Sequence, residues 1–390
     1  MRGDSNAVAH DDRLFYLPAR AQIPVDDLVE WVIEPQCEVR AIGPERTMRP
    51  NPAVSGDLII YSTFRPGQVT ALDRSNGAFR WKTHIGTHGN ESVLVACDRV
   101  LCGHSGSLIA LERLTGKPIW TFQPADSWMY AMPSTDFKSV FIGDTDGFLH
   151  SIDLQTGELR WSASVTAGRV NTTALTIGGI VVVASCAESR PSAVGLDSRT
   201  GEELWRTPIA GRGSSDQIQQ FGAFAILHTA QTIYCIEPET GIVARRWTWP
   251  RREVIKIVVV RDLLYVLLSP EYLQSDAPGG VKTGMRPKEY LGIQGNSIIY
   301  RLPCGRYTMS VRWDSGTGNL YEINDSGLGI LDPFTGERLV QISLDAWNDV
   351  PNHGPHTFRL PDVADGMMYI MVDDGRISAL RHPPLSNHDA

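Results

Sequence analysis

The six cysteines of this chain, at positions 37, 97, 102, 186, 235 and 304, form no C-x-x-C pair and no zinc spacing. Several sit in apolar runs such as "LVACDRVLCG" and "TIYCIE". They read as reduced core thiols, with a Cys97–Cys102 disulfide across a short turn as the other reading. Positive charge is scarce as well. Lys and Arg number 36 against 44 Asp and Glu, for a formal net charge of -8. Nonspecific binding to nucleic acid or to an acidic membrane wants a basic surface, so neither is expected as a partner. Long apolar runs are missing too. The best candidate, Ile177–Ala184, has the length of a strand, far short of a membrane helix. The opening "MRGDSNAVAHDDRLFYLPAR" carries Asp4, Asp11 and Asp12 where a signal peptide would be apolar, so a cytoplasmic location is expected. There is no G-x-S-x-G elbow, no P-loop and no dinucleotide fingerprint.

What is present is a repeat. "PGQVTALDRSNGAFRW" at Pro66–Trp81, "SGSLIALERLTGKPIW" at Ser105–Trp120 and "TDGFLHSIDLQTGELRW" at Thr145–Trp161 are versions of one hairpin. An acidic residue, a glycine and a tryptophan recur at fixed spacing. The sets are Asp73, Gly77, Trp81; Glu112, Gly116, Trp120; Asp153, Gly157, Trp161; and Asp197, Gly201, Trp205. A looser copy has Glu237 and Gly241 with Trp247 two residues late, and another has Asp332 and Gly336 with Val340 in the Trp place. The unit recurs about every forty residues, the period of a propeller blade. Each part has a physical task. Alternation in "VTALD" or "LHSID" makes a half-buried strand. The acidic side chain accepts hydrogen bonds from the next turn, and glycine supplies its positive φ. The tryptophan covers the seam to the following blade.

The repeat resembles the PQQ-like β-propeller family, of quinoprotein and BamB type, over about residues 50–345. In that family the A-L-D-x-x-T-G-x-x-x-W element is a docking device and does not bind the quinone, so the resemblance implies fold more than cofactor. The expected fold class is all-β, an eight-bladed propeller of four-stranded antiparallel blades. The strands next to the docking turn fall at 69–73, 108–112, 149–153, 193–197, 233–237, 298–302, 328–332 and 377–381. The N-terminal "DDLVEWVIEP", with Trp31 in the docking role, is expected to close the last blade. Blade six has no clear outer strand, which leaves a seven-bladed count as the alternative. The expected organisation is an extension over 1–27, one propeller over 28–384 with an insertion at 269–296 in blade six, and a tail over 385–390. That insertion reads equally as a lid or as a disordered segment.

Chemistry is expected in the linkers that do not repeat. Between blades, and between a blade's second and third strands, the loops open on one face around the channel mouth. The candidate acids and bases there are His88, Glu91, Asp216, His353 and His356. Candidate ligand-binding residues are Arg49 at the entry to blade one, Trp128 and Tyr130 after blade two, and Arg169 and Asn171 after blade three. Arg212 and Gln217 follow blade four, Arg252 and Lys256 follow blade five, and Trp347 follows blade seven. Arginine with aromatic neighbours suits a small anionic ligand. His88, Glu91 and His104, or His353 and His356, have no recognised metal spacing, so no metal and no other cofactor is expected. "DTDG" at Asp144–Gly147 reads as a hairpin turn rather than a calcium loop.

Three functions compete. The first is a channel-mouth site for a small anionic ligand, with a cofactor-independent lyase, isomerase or cyclisation step as its enzymatic form. The second is a noncatalytic scaffold for a protein partner, marked by an exposed apolar rim. The third is a quinoprotein dehydrogenase. The resemblance implies that such enzymes are exported and often carry adjacent cysteines over the quinone, which this sequence lacks.

Overall fold

The computed structural model describes residues 19–33, 52–63, 67–86, 89–104, 106–124, 127–129, 132–170, 172–185, 191–210, 218–274, 282–286, 288–304, 310–324, 327–343, 360–371 and 377–385. They form eight antiparallel blades, seven of four strands and one of five, plus a separate two-stranded hairpin. We call the strands of a blade A to D from the axis outward. In blade one these are Ala53–Ser55, Leu58–Thr63, Gly67–Asp73 and Phe79–Gly86. The A strands line the axis. That of blade one touches its counterparts in blades two and eight, and that of blade six touches those of blades five and seven.

The burial pattern explains the layering. Strands B and C bury almost every residue, as in Ile180–Ser185 of blade four, because a neighbouring blade covers each face. Strand D alternates, burying Trp161 between the exposed Arg160 and Ser162. Each seam holds its own apolar cluster. Ile60, Val69 and Trp81 of blade one meet Val100, Cys102 and Leu111 of blade two. A fully buried aliphatic side chain of this kind contributes roughly 1.5–3 kcal/mol.

The expected tryptophans close the seams. Trp81 Nε1 donates to the Arg113 carbonyl at 3.0 Å, Trp120 Nε1 to Leu154 at 3.1 Å, and Trp161 Nε1 to Ser198 at 3.0 Å. Trp205 Nε1 donates to the Pro238 carbonyl at 2.6 Å. Each bond runs to the turn after the acidic residue of the next blade. Within that turn Asp153 Oδ1 accepts the N–H groups of Gln155 and Thr156, at 2.8 and 2.9 Å.

Blade six departs from the sequence reading. Its strands are Val254–Val260, Leu263–Leu268, Glu289–Gln294 and Ser297–Pro303. The stretch 298–302, expected as strand C, is therefore strand D, and Glu289–Gln294 is strand C. The interruption is shorter than 269–296 as a result, because 289–294 belongs to the blade. It contains the two-stranded hairpin of Glu271–Gln274 and Lys282–Arg286. Tyr300 takes the docking position, and its hydroxyl donates to the Pro333 carbonyl at 2.5 Å.

The ring closes as expected, with additions. Val29–Ile33 pairs antiparallel with Ile377–Arg381, placing Trp31 opposite Ala379. Before it, Ala21–Pro24 runs parallel to the D strand of blade seven, with Ala21 opposite Val340. Part of the expected 1–27 extension is thus the fifth strand of that blade. It is held by an Arg20–Glu337 ion pair and by Val25, which is fully buried in the seam between blades seven and eight.

Candidate functional site

The topology gives the channel two ends. The D–A linkers and B–C turns gather at one, the linker end. The A–B and C–D turns gather at the other, the turn end. The sequence placed its candidate site at the linker end.

Many of those candidates lie outside the described residues: His88, Asp216, His353, His356, Arg49, Tyr130, Asn171, Arg212, Gln217 and Trp347. Glu91 lies on the A strand of blade two, Gly89–Ala96. Trp128 is exposed, with its ring beside Gly106 of the preceding blade's B–C turn, and its N–H donates to Thr145 Oγ1 at 3.1 Å. Arg169 is exposed on the linker after blade three, and Lys256 is half-buried on the A strand of blade six. Arg252 is buried; its Nε donates to the Ser269 carbonyl at 2.7 Å and its guanidinium pairs with Glu289. It thereby clamps both ends of the blade-six interruption, and this commitment directs it away from a ligand.

Blade three shows how the linker end is built. Asp144 is almost fully buried in the B–C turn. Its Oδ1 accepts the N–H groups of Asp146 and Phe148, which makes "DTDG" a turn. Its Oδ2 accepts from Ser127 Oγ at 2.7 Å and lies 2.9 Å from His150 Nε2. The other ring nitrogen of His150, Nδ1, lies 2.8 Å from Ser162 Oγ. Burial opposes the charge on Asp144, but the bonds from Ser127, His150 and Phe148 outweigh it and hold the carboxyl below its ordinary range. The network ties linker, turn and outer strand together. Sequence reasoning missed it because Asp144 was read only for its own turn; the available signal was the cross-strand pairing of His150 with Ser162.

Among the described residues no group of three or more His, Cys, Asp or Glu is placed to hold a metal ion. The described cysteines, Cys97, Cys102, Cys235 and Cys304, are free thiols. Burial pushes the Cys102 thiol up to about 12 and Cys235 up to about 11, so both stay protonated and unreactive at neutral pH. No helix of the described residues is long and apolar enough to cross a membrane.

At the turn end, between blades five, six and seven, lies an open cleft of about 500 Å³. It is lined by Gln219, Gln220 and Gly222 of blade five, Val259 and Arg261 of blade six and Trp313 of blade seven. Gln219 stitches two A strands, donating to the Ile257 carbonyl at 2.8 Å and accepting from the Val259 N–H at 3.1 Å. The sequence reading did not reach this cleft, since it searched only the opposite end.

Comparison with known proteins bears on the whole arrangement. The family profile described as outer membrane protein assembly factor BamB matches residues 35–248. BamB of Kangiella koreensis is 30% identical over 128 residues, which is 32% of this chain and 30% of that protein. The match therefore spans less than a third of that curated relative. The crystal structure of BamB from Moraxella catarrhalis aligns with a TM-score of 0.53 at 17% identity, covering 87% of this chain and 83% of that one. Quinohemoprotein alcohol dehydrogenase from Comamonas testosteroni aligns with a TM-score of 0.62 at 13% identity, covering 93% and 77%. At these identities the two structures speak for the fold alone. Because the profile matches more than half of the chain, and the blades carry the repeat through docked rings and acidic turns, this protein belongs to the BamB family of PQQ-like β-propellers.

Proposed function

We propose that this protein is a noncatalytic scaffold that presents its outer rim to a protein partner. The observation that carries the reading is a row of exposed apolar side chains at the start of the D strands. Phe79 and Leu159 stand two residues before their docking tryptophans, and Leu204 and Ile299 stand one before Trp205 and Tyr300. Ile242 occupies the same region of blade five and is 59% exposed. Single exposed apolar residues are ordinary, but their recurrence between the C–D turn and the first residues of strand D in five blades gives the turn end an apolar border. The BamB relatives are named assembly factors, which is consistent with such a role here.

The test is affinity capture from the source organism with the wild-type chain and with a Phe79→Ser, Leu159→Ser, Leu204→Ser variant. These sites are exposed, so the melting temperature should change little. The expected outcome is a protein captured by wild type and lost from the variant. Capture indifferent to the substitutions overturns the reading. So does a thermal shift by a small metabolite that Arg169→Ala abolishes, which favours a ligand at the linker end.

A further inference from the structure

The cleft at the turn end has features that neither the family nor the scaffold reading uses. Arg261 lines it from the A–B turn of blade six. It adopts φ +55°, at the turn position that Gly56 and Gly222 fill in blades one and five. Left-handed backbone strains a non-glycine residue. Cys97, Phe137 and Asp365 share this conformation in their own turns, so the backbone shape belongs to the fold. What distinguishes blade six is a guanidinium mounted on it. Among the described residues Arg261 has no hydrogen bond and no ion pair.

Its acidic neighbours are engaged elsewhere. Asp262 accepts from Gln294 Nε2 at 2.6 Å. Asp314 accepts from the Thr317 N–H at 2.7 Å and from its hydroxyl at 2.9 Å. From blade seven Trp313 offers an aromatic wall, and its buried indole N–H has no partner among the described residues. Val259 adds an apolar surface, and Gln219 is fixed by its two backbone bonds. A guanidinium fork matches a carboxylate, and a flat apolar body suits an indole wall. Asp262 and Asp314 adjoin Arg261 and Trp313 in sequence, and their charge disfavours a dianion more than a monoanion.

We propose that this cleft binds a small monocarboxylate carried on a flat apolar body, with Arg261 on the carboxylate and Trp313 against the body. The site lies at the end of the channel opposite the linkers and is independent of the scaffold reading.

The probe is indole-3-acetate, with the neutral indole-3-acetamide as control. The readout is the indole N–H resonance of Trp313 in the ¹⁵N-labelled full chain, assigned with Trp313→Phe. Saturable displacement is expected with a Kd of about 1 mM or tighter, and the amide should bind at least about tenfold more weakly. Arg261→Gly suits the left-handed backbone, so it removes the cation without strain. It should weaken the acid at least about tenfold, and Arg261→Gln, which keeps a side chain, should do the same. The proposal fails if the resonance does not move up to about 10 mM acid, or if acid and amide bind alike. It fails equally if both Arg261 variants retain wild-type affinity, or if Arg169→Ala and not Arg261→Gly abolishes binding.

Discussion

The ring of Trp81 lies so close over Gly116 that a Cβ on that glycine would fall 2.3 Å from Trp81 Cε3. The same fit recurs between Trp120 and Gly157, Trp161 and Gly201, and Trp205 and Gly241. The Thr-Gly of the repeat therefore has two reasons to be glycine. Its φ is positive, +71° at Gly116, and the tryptophan of the preceding blade occupies the space of a side chain. Thr83 Oγ1 adds a bond to the Gly116 carbonyl at 2.6 Å.

The two reasons can be separated. Gly295 also has a left-handed backbone, φ +61°, but nothing lies within 4 Å of a Cβ there. Gly295→Ala should cost roughly 1–2 kcal/mol, the backbone penalty alone. Gly116→Ala should cost about 3 kcal/mol or more, because the clash is added. Urea unfolding of both variants checks this. Equal losses would mean that Trp81 moves aside freely.

Acid should weaken the turns before it reaches the seams. Bonds from Arg160 and from the Thr156 and Gln155 N–H groups hold the Asp153 carboxyl at about 2, down from 3.8. Bonds from Ser75 and Arg80 hold Asp73 at about 2 as well. A carboxyl depressed in the folded state stabilises above its unfolded pKa, and loses that contribution as the pH falls through the folded one. The loss for these groups lies between 3.8 and about 2. Asp153→Asn should therefore be less stable than wild type at neutral pH, with the gap narrowing across that window. Urea midpoints against pH measure it.

Tyr300 should behave as a substitute tryptophan. Tyr300→Phe removes the bond to the Pro333 carbonyl and should cost about 1 kcal/mol. Tyr300→Trp should fold, with stability within about 1.5 kcal/mol of wild type. Gly292 underlies Tyr300 as Gly195 underlies Trp205, leaving room for a ring. Loss of folding in Tyr300→Trp would show that blade six has been reshaped around the smaller side chain.

The N-terminal strands should differ in weight. Removing residues through Pro24 deletes the parallel strand on blade seven and the Arg20–Glu337 pair, but leaves the ring closed. A fall of a few degrees in melting temperature is expected. Removing residues through Ile33 also deletes the outer strand of blade eight and Trp31. It should open the ring, exposing a sheet edge that pairs with other chains. Light scattering after purification tells the two truncations apart.

The blades were legible because the hairpin carries its own geometry. Trp81, Trp120, Trp161 and Trp205 stand at constant spacing from turns whose glycines have positive φ. Trp31 has no such turn before it; it was legible because the last blade lacked an outer strand, although its partner strand is distant in sequence. Blade six was misread where the tokens change. Tyr300 replaces the tryptophan, and a tight turn at Gly295 joins strands C and D in place of the acidic turn. The parallel strand at Ala21–Pro24 left no periodic mark, since an edge strand of four residues needs little burial. The site was harder to read. Arg252 looks the same in sequence whether it meets a ligand or Glu289, and only the fold decides. Arg261 and Trp313 meet at one cleft because their blades are neighbours, a proximity no local spacing encodes.

The pairing of Val29 with Leu380 sets a schedule for the making of the protein. A ribosome delivers the outer strand of blade eight before blades one to seven and its partner after them. While the blades between them emerge and stack, the early strand must wait unpaired, with Trp31 lacking its cover from Tyr369 and Ile377. Such distant pairing carries a large loop-closure cost and slows folding. Completion of the circle is therefore a late event in the life of each molecule, and a chain broken off during synthesis remains an open arc.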